Sequence, residues 1–461
     1  MNPPFRQSLL WKYKPVPELV RLAWPIAVSM LSYSIMTLVD TLFVGRLGAS
    51  ALAAVGIGGV TSFTLICFGF GALRSAKVVV SQAVGAGRRD DVRAVVSAAV
   101  VLALGLGAIA VLGGRLLVRV LPDLVQQGHA GALAADYLWV RNLGAPVALV
   151  SIALKESRYG LGDTRSPMVA TLAANVTNVA LDAAFIWGLG LGVRGAAWAT
   201  VAGYVVEAGL MLFITLRTTD GIAPVRLREV SRLLSLGLPM GLQFVLEVGS
   251  FTVLVALLAR VGEVDVAAHQ IALQLCHFSF LPAMALGEAA SVLVGQAVGA
   301  NEDDLVRPVA RRAFALASAY TGSCALGFVL FAGPLARAFT TDARVIALTV
   351  QLLYVAAVFQ VFDGANGVAR SVLRGTGDVR YSAVISVTIA WLCTPTLTWL
   401  LGIHLGLGAL GGWIGLCIEI VAGAAALWWR LERGGWRTAA GRSRAELDRA
   451  PTSRVPAPAT S

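Results

Sequence analysis

The feature that most constrains this 461-residue chain is a series of twelve apolar runs separated by short charged or Gly/Pro-rich breaks. They fall at about 19–44, 51–73, 94–114, 133–154, 167–190, 195–216, 233–259, 266–293, 313–333, 345–369, 382–403 and 407–429. A helix needs roughly 20 apolar residues to cross a bilayer, and inside the hydrocarbon its N–H and C=O groups must bond within the segment because no water is there. Twelve such helices consume most of the chain and leave no room for a separate soluble domain. Strands of a membrane barrel would alternate apolar and polar residues, and runs such as Val100 to Gly113 do not. The expected fold is all-α and integral to the membrane, with twelve transmembrane helices. Only 14% of residues are charged, against about 25% in soluble domains, so disordered, collagen-like and disulfide-scaffold folds are excluded.

The net charge of +11 is read as loop charge that orients the spans, not as a nucleic-acid surface. With both ends in the cytoplasm, 29 of the 37 Lys and Arg fall on that side and 8 on the other, namely Arg46, Arg115, Arg119, Arg141, Arg194, Arg260, Arg337 and Arg344. The expectation is a multi-pass protein of the inner (plasma) membrane with both termini cytoplasmic. Arg6, Lys12 and Lys14 precede the first span without a cleavable small-residue site, so that span is expected to be its own insertion signal. Cys67, Cys276, Cys324, Cys393 and Cys417 lie singly in apolar runs, which predicts small buried side chains and no transition-metal site.

The chain repeats itself at an offset of 214 to 216. Gln82-Ala83-Val84-Gly85-Ala86, with Asp90 and Arg93, returns as Gln296-Ala297-Val298-Gly299-Ala300, with Asp304 and Arg307. Pro25 returns as Pro239, Gly160-x-Gly162-Asp163-x-Arg165 as Gly375-x-Gly377-Asp378-x-Arg380, and Gly190, Gly192 and Gly195 as Gly406, Gly408 and Gly411. Each unit holds six helices, and an even number makes the two units parallel, an arrangement that binds at the cleft between halves and works by rocking. The expected parts are a cytoplasmic N-terminal segment (1–18), an N-lobe (19–216), a cytoplasmic linker (217–232), a C-lobe (233–429) and a disordered basic tail (430–461). The QAVGA pair lacks the GK[ST] of a phosphate loop and is read as a helix end and turn. The GxGD pair is read as loop geometry.

An ionisable side chain at membrane depth is a functional hypothesis by default, because burying it is costly. In the fifth span, Asn175, Asn178 and Asp182 stand at i, i+3 and i+7 and share a helical face, which Thr171 extends by one turn. Asp40 and Thr200 lie at similar depths in spans 1 and 6, so the spacing predicts one layer. Two carboxylates with amide and hydroxyl oxygens suit a proton or a hard cation such as sodium. The competing reading has Asp40 capping a helix and Asp182 paired with Arg194. The second half differs: Glu247 follows Gln243 and precedes Ser250 in one stripe, and Asp363 follows Gln360 by three. His269 and His277 in span 8 are read as core, while Gln270, Gln274 and His277 share a face. Tyr33, Met36, Phe244 and Phe251 are placed near the cleft, where aromatic faces attract organic cations. Glu207, Glu288 and Glu419 have no partner that the sequence names.

These residues resemble the multidrug and toxic compound extrusion (MATE) transporters over about residues 15 to 430. The likeness rests on Val39-Asp40-Thr41-Leu42-Phe43-Val44-Gly45-Arg46-Leu47-Gly48, on GLGDTRSP from Gly160 to Pro167, on Ala267-Ala268-His269-Gln270-Ile271-Ala272, and on the two QAVGA segments. It implies two parallel, pseudo-symmetric six-helix bundles around a V-shaped cleft. It also implies export of amphipathic organic cations or other drugs in exchange for protons or sodium. By position, Asp40, Asn178, Asp182 and Thr200 match the family's N-lobe coupling site, and Glu247 and Asp363 its C-lobe acids. Tyr33, Met36, Asn175, Gln243, Phe244, Phe251, Gln274, His277 and Gln360 are the expected cleft residues. The implied partners are small-molecule drugs and the lipid bilayer, with no cofactor, no nucleic acid and a monomeric state; the coupling ion stays open.

Three rival readings compete with this one. A transporter of the major facilitator type would carry an acidic and basic signature between Arg74 and Arg93, which is missing. A lipid-linked oligosaccharide flippase of a related fold would place more cations inside the spans, whereas the central charges in the sequence read mostly as acids. A membrane-embedded enzyme would need a motif such as HExxH or DDxxD, and none is present.

Overall fold

A computed structural model describes residues 10–124, 129–218 and 223–448. Helices long and apolar enough to cross a membrane follow the expected order. The N-lobe holds α1 (Pro15–Gly45), α2 (Ala49–Leu73, carried on by Ser75–Gly85), α3 (Arg89–Leu124), α4 (His129–Leu143, carried on by Ala145–Gly160), α5 (Arg165–Asp182) and α6 (Gly192–Thr218). The fourth span is broken: Ala130–Leu143 and Ala145–Gly160 meet at 47° beside Pro146, which has no N–H to continue the helix. The C-lobe holds α7 (Leu227–Val261), α8 (Glu263–Gly299), α9 (Val306–Arg337), α10 (Ala343–Gly375), α11 (Val379–Leu397) and α12 (Gly408–Glu432). Several run well past their apolar runs, α8 by ten residues or so, because their polar ends pack on protein instead of lipid.

The duplication extends to irregular geometry. Pro25 and Pro239 interrupt the bonding ladders of α1 and α7. A π-helical turn follows α5 at Ala183–Gly188 and follows α11 at Thr398–His404. In the GxGD loops Gly162 and Gly377 take φ of 80° and 87°, which side chains disfavour. Asp163 accepts from Arg158 and, at 3.0 Å, from the Ser166 N–H; Asp378 accepts from Arg430 at 3.0 Å. Both acids therefore fasten loops, as expected.

Where the lobes touch defines the shape. One core joins α1 residues Leu19, Leu22 and Ile26 to α8, α9, α10 and α12 of the other lobe. At the opposite end the lobes have separate cores, around Leu254, Leu352 and Trp413 in one and Tyr137, Ile186 and Val193 in the other. The molecule is thus a V, closed on the basic face where α1 begins and α12 ends, and open on the other.

The QAVGA pair is more than a helix end. An added Cβ on Gly85 would strike the Gln296 carbonyl, and one on Gly299 would strike the Gln82 carbonyl. The two segments cross reciprocally at the closed end, so each glycine is required by backbone contact with the other lobe. Gln82 also donates to the Gly375 carbonyl at 3.1 Å, and Trp11 donates to Gln296 at 3.0 Å.

The tail expected to be disordered from Arg430 is a correction. Helix α12 continues to Glu432, the chain turns at Gly434, and a further helix, α13 (Arg437–Asp448), docks under both lobes. Its Ala439, Ala440, Ser443 and Leu447 are buried, and that burial is what orders a segment otherwise too polar to fold alone. Residues 449–461 of that tail, the first nine residues of the N-terminal segment and 219–222 of the linker lie outside the described residues.

Candidate functional site

Helices α1, α5 and α6 bring the N-lobe residues together. In the orientation that pairs donor with acceptor, the Asn178 amide donates to Asp40 Oδ1 at 2.9 Å and its carbonyl accepts from the Thr200 N–H at 3.3 Å. The Asp182 carboxyl faces that of Asp40 within hydrogen-bond reach. Asp182 is wholly buried, and neither of its oxygens accepts a bond from an N–H or from a hydroxyl. Arg194 pairs with Asp136 at 2.8 Å, so the expected structural partner of Asp182 is engaged elsewhere. Among the described residues no Lys or Arg forms an ion pair with Asp40 or Asp182.

The nearest cation is Arg141, counted from sequence among loop charges and found inside the lobe. Its guanidinium donates to Tyr204 Oη at 3.3 Å and lies 5.7 Å and 5.6 Å from the Tyr137 and Tyr204 ring centroids. It exerts its field on both acids without contacting them. With Asp182 buried against the half-buried Asp40 and no contacting cation, a proton or another cation at the pair lowers the cost of holding its charge.

Asn178 and Thr200 separate these acids from a cavity of about 410 Å³ at the base of the cleft. Five expected cleft residues line it: Tyr33, Met36, Asn175, Phe244 and His277. Asn175 donates to Ser32 at 2.6 Å. Four do not line it. Gln243 is buried in the C-lobe between Glu247 and Arg374; Gln360 is buried against Ser279; Phe251 and Gln274 are exposed away from it. Their helices carry them past the cavity wall, which spacing along one helix cannot reveal.

The cavity floor holds charges that sequence reasoning assigned to loops or left unpaired. Lys77 bonds Glu288 of the opposite lobe and Glu156 of its own at 3.3 Å, and Arg74 reaches Glu288 at 3.4 Å. Lys155 pairs with Glu207 at 3.1 Å, and Ser151 and Thr171 each donate to Glu207 at 2.6 Å. The reading that central charges are mostly acids is therefore incomplete, since cations match them. Their long apolar flanks made Arg74 and Lys77 look like a span boundary.

The C-lobe acids are arranged otherwise. Both oxygens of Glu247 accept from Arg370 at 3.1 Å, and Gln243 donates to Glu247 at 2.9 Å. Asp363 lies within the fields of Arg370 and Glu419, and Glu419 accepts from Thr394. The structure does not join Glu247 and Asp363 by a hydrogen bond. His269 is fully buried and accepts from Trp413 at 3.1 Å, the core role expected for it.

A duplicated 6 + 6 helical frame, open at one end and lined by buried ionisable groups, defines a membrane transporter, not an enzyme. The MatE family profile matches residues 25–184 and again 239–400, at the offset of the internal repeat. The chain belongs to this family, the MATE transporters. It is 30% identical over 445 residues to a probable multidrug resistance protein NorM of Pseudomonas syringae pv. tomato, covering 91% of this chain and 95% of that one. It is 31% identical over 421 residues to the protein of that name from Bradyrhizobium diazoefficiens, covering 87% and 90%. Among solved structures, a MOP superfamily transporter from Pyrococcus furiosus superposes with a TM-score of 0.85 at 22% identity over 95% of this chain and 98% of that one; its reversed pocket polarity is described as suggesting a different function. An outward-facing multidrug resistance MATE transporter gives 0.82 at 23% identity over 94% and 97%. At such identities these structures establish the fold alone.

Proposed function

We propose that this protein exports amphipathic organic cations by antiport with protons or sodium, through alternating access, from an inner membrane in which both termini are cytoplasmic. The observation that carries this reading is the Asp40/Asp182 pair: a buried Asp182 against a half-buried Asp40, without a contacting cation and one hydrogen bond behind the cavity wall through Asn178. An ion entering the pair lowers its charge and alters what Asn178 and Thr200 present to the cavity. Drug and ion then compete through this shared wall, and rocking follows if the ion binds the two arrangements with different affinity. Aromatic groups at Tyr33, Phe70 and Phe244 suit a flat cation.

The flippase alternative gains buried cations at Arg74, Lys77 and Lys155, but each is matched by a carboxylate, so the floor is charge-balanced and suits no polyanionic headgroup. The test is ethidium transport in vesicles reconstituted with the pure protein, driven by a pH gradient in one arm and a sodium gradient in the other. Gradient-driven ethidium movement in either arm is expected for the wild type, and its loss in Asp182→Asn. Wild-type transport by that variant would sink the assignment of the N-lobe pair.

A further inference from the structure

Helix α13 grows from the C-lobe, where Trp436 and Ala440 are buried in the core that α8, α9, α10 and α12 share with the start of α1. Its body is fastened there by charge: Arg444 grips Asp303 through two bonds of 2.6 and 3.2 Å, and Glu446 meets Arg232 at 3.4 Å, while Arg228 donates to the Glu446 carbonyl. The last turn belongs to the other lobe. Leu447 is buried in a core built mostly of N-lobe residues, to which α7 adds Leu233, and Arg88 of the α2–α3 turn donates both to the Leu447 carbonyl and, at 2.8 Å, to Asp448. An arginine on the final carbonyls of a helix satisfies groups that have no partner within it and complements its dipole. One short helix therefore ties the two lobes together across the closed face, beneath the Gly85/Gly299 crossing.

We propose that α13 is a strap that holds the basic face shut, and that its last turn must leave the N-lobe each time that face opens, so that release of α13 limits the turnover of the carrier. The proposal rests on the alternating-access reading above. Opening that face must separate Arg88 from Asp303, and α13 cannot stay seated on both. The weaker of its two attachments is the one that gives: on the N-lobe a single buried side chain and one arginine, against a core and three charged contacts on the C-lobe.

The test places spin labels on exposed Arg165 and Arg312, as Arg165→Cys and Arg312→Cys, in the full chain with its five native cysteines replaced by alanine. Pulsed distance measurements in nanodiscs then report the separation of the lobes on the basic face, and ethidium efflux is timed in vesicles of the same preparations. Leu447→Glu is expected to raise the open population about tenfold, the ratio that loss of one buried leucine implies, and to speed efflux. Damage to folding alone would slow it. Asp303→Arg and Arg444→Asp give a second route: each alone should widen the distance distribution, and the double variant should restore it. Unchanged distances and rates in Leu447→Glu, or a double variant that behaves like its single parents, overturns the strap. If the wild type transports ethidium while this distance never changes, alternating access itself fails, and that result is separate from the behaviour of α13.

Discussion

Asp182 in the N-lobe and Glu247 in the C-lobe are both carboxylates embedded in spans of one duplicated scaffold, yet their surroundings differ in kind. Glu247 takes two bonds from Arg370 and a third from Gln243, so its charge is neutralised within the protein. Asp182 faces only another carboxyl, with Arg141 held off by Tyr204. A permanent arginine partner makes a carboxylate part of the framework, because removing either member leaves a buried charge uncompensated. A carboxyl pair without one is a place where a mobile cation changes the local energy. Gene duplication supplied one scaffold twice, but the two acids are not repeat partners: the offset of 214 sets Glu247 against Tyr33 and that of 215 sets Asp182 against Leu397, so each lobe acquired its own polar cluster.

The largest expected effect tests this contrast directly. Asp182→Asn should slow gradient-driven ethidium transport by roughly 5–150-fold, the range of an ordinary coupling free energy, with little change in thermal stability. Glu247→Gln should do the reverse: it should cost about 2–3 kcal/mol by stranding Arg370, measured by thermal unfolding in detergent, and the double variant Glu247→Gln/Arg370→Gln should recover most of it. If Glu247→Gln instead abolishes transport at unchanged stability, the two lobes do not divide their work as described.

The next effect asks whether the lobes are equivalent where they cross. Gly85→Ala and Gly299→Ala each push a methyl group into the opposite lobe's backbone, and each should cost about 1–3 kcal/mol by overpacking. Gly105→Ala, at a position with nothing within 4 Å, should instead stabilise α3 by about 0.5–1 kcal/mol. Unequal costs at Gly85 and Gly299 would show that the crossing is not symmetric.

The smallest effect concerns the loops. Burial pushes the Asp163 carboxyl up, but Arg158 and the Ser166 bonds outweigh it and hold it below the ordinary carboxylate range. A depressed folded value means the stabilisation is complete above about pH 4 and is lost as pH falls through that depressed value. Asp163→Asn should therefore cost about 1–2 kcal/mol at pH 7, and unfolding curves of wild type and variant should converge in acid.

Much of this was legible in the residues. Run lengths dictated the helices, and the offset of 214 to 216 dictated two parallel halves, which the family match at 25–184 and 239–400 repeats. Asn178 and Asp182 were found because polar side chains at helical spacing stand out against hydrocarbon. The docked tail helix is harder to read although its signal is present: Ala439, Ser443 and Leu447 recur at i, i+4 and i+8, a helical face hidden by arginines on the other sides. Arg141 and Lys77 were misplaced because a charge beside an apolar run reads the same whether it faces water or a buried carboxylate.

Local composition and periodicity were enough to make this chain helical, membrane-embedded and duplicated, since lipid forces every backbone group to bond within its own segment. Which carboxyl meets an arginine and which meets another carboxyl, where the lobes close, and what the tail binds are matters of distance between segments hundreds of residues apart, and only packing in three dimensions sets those distances.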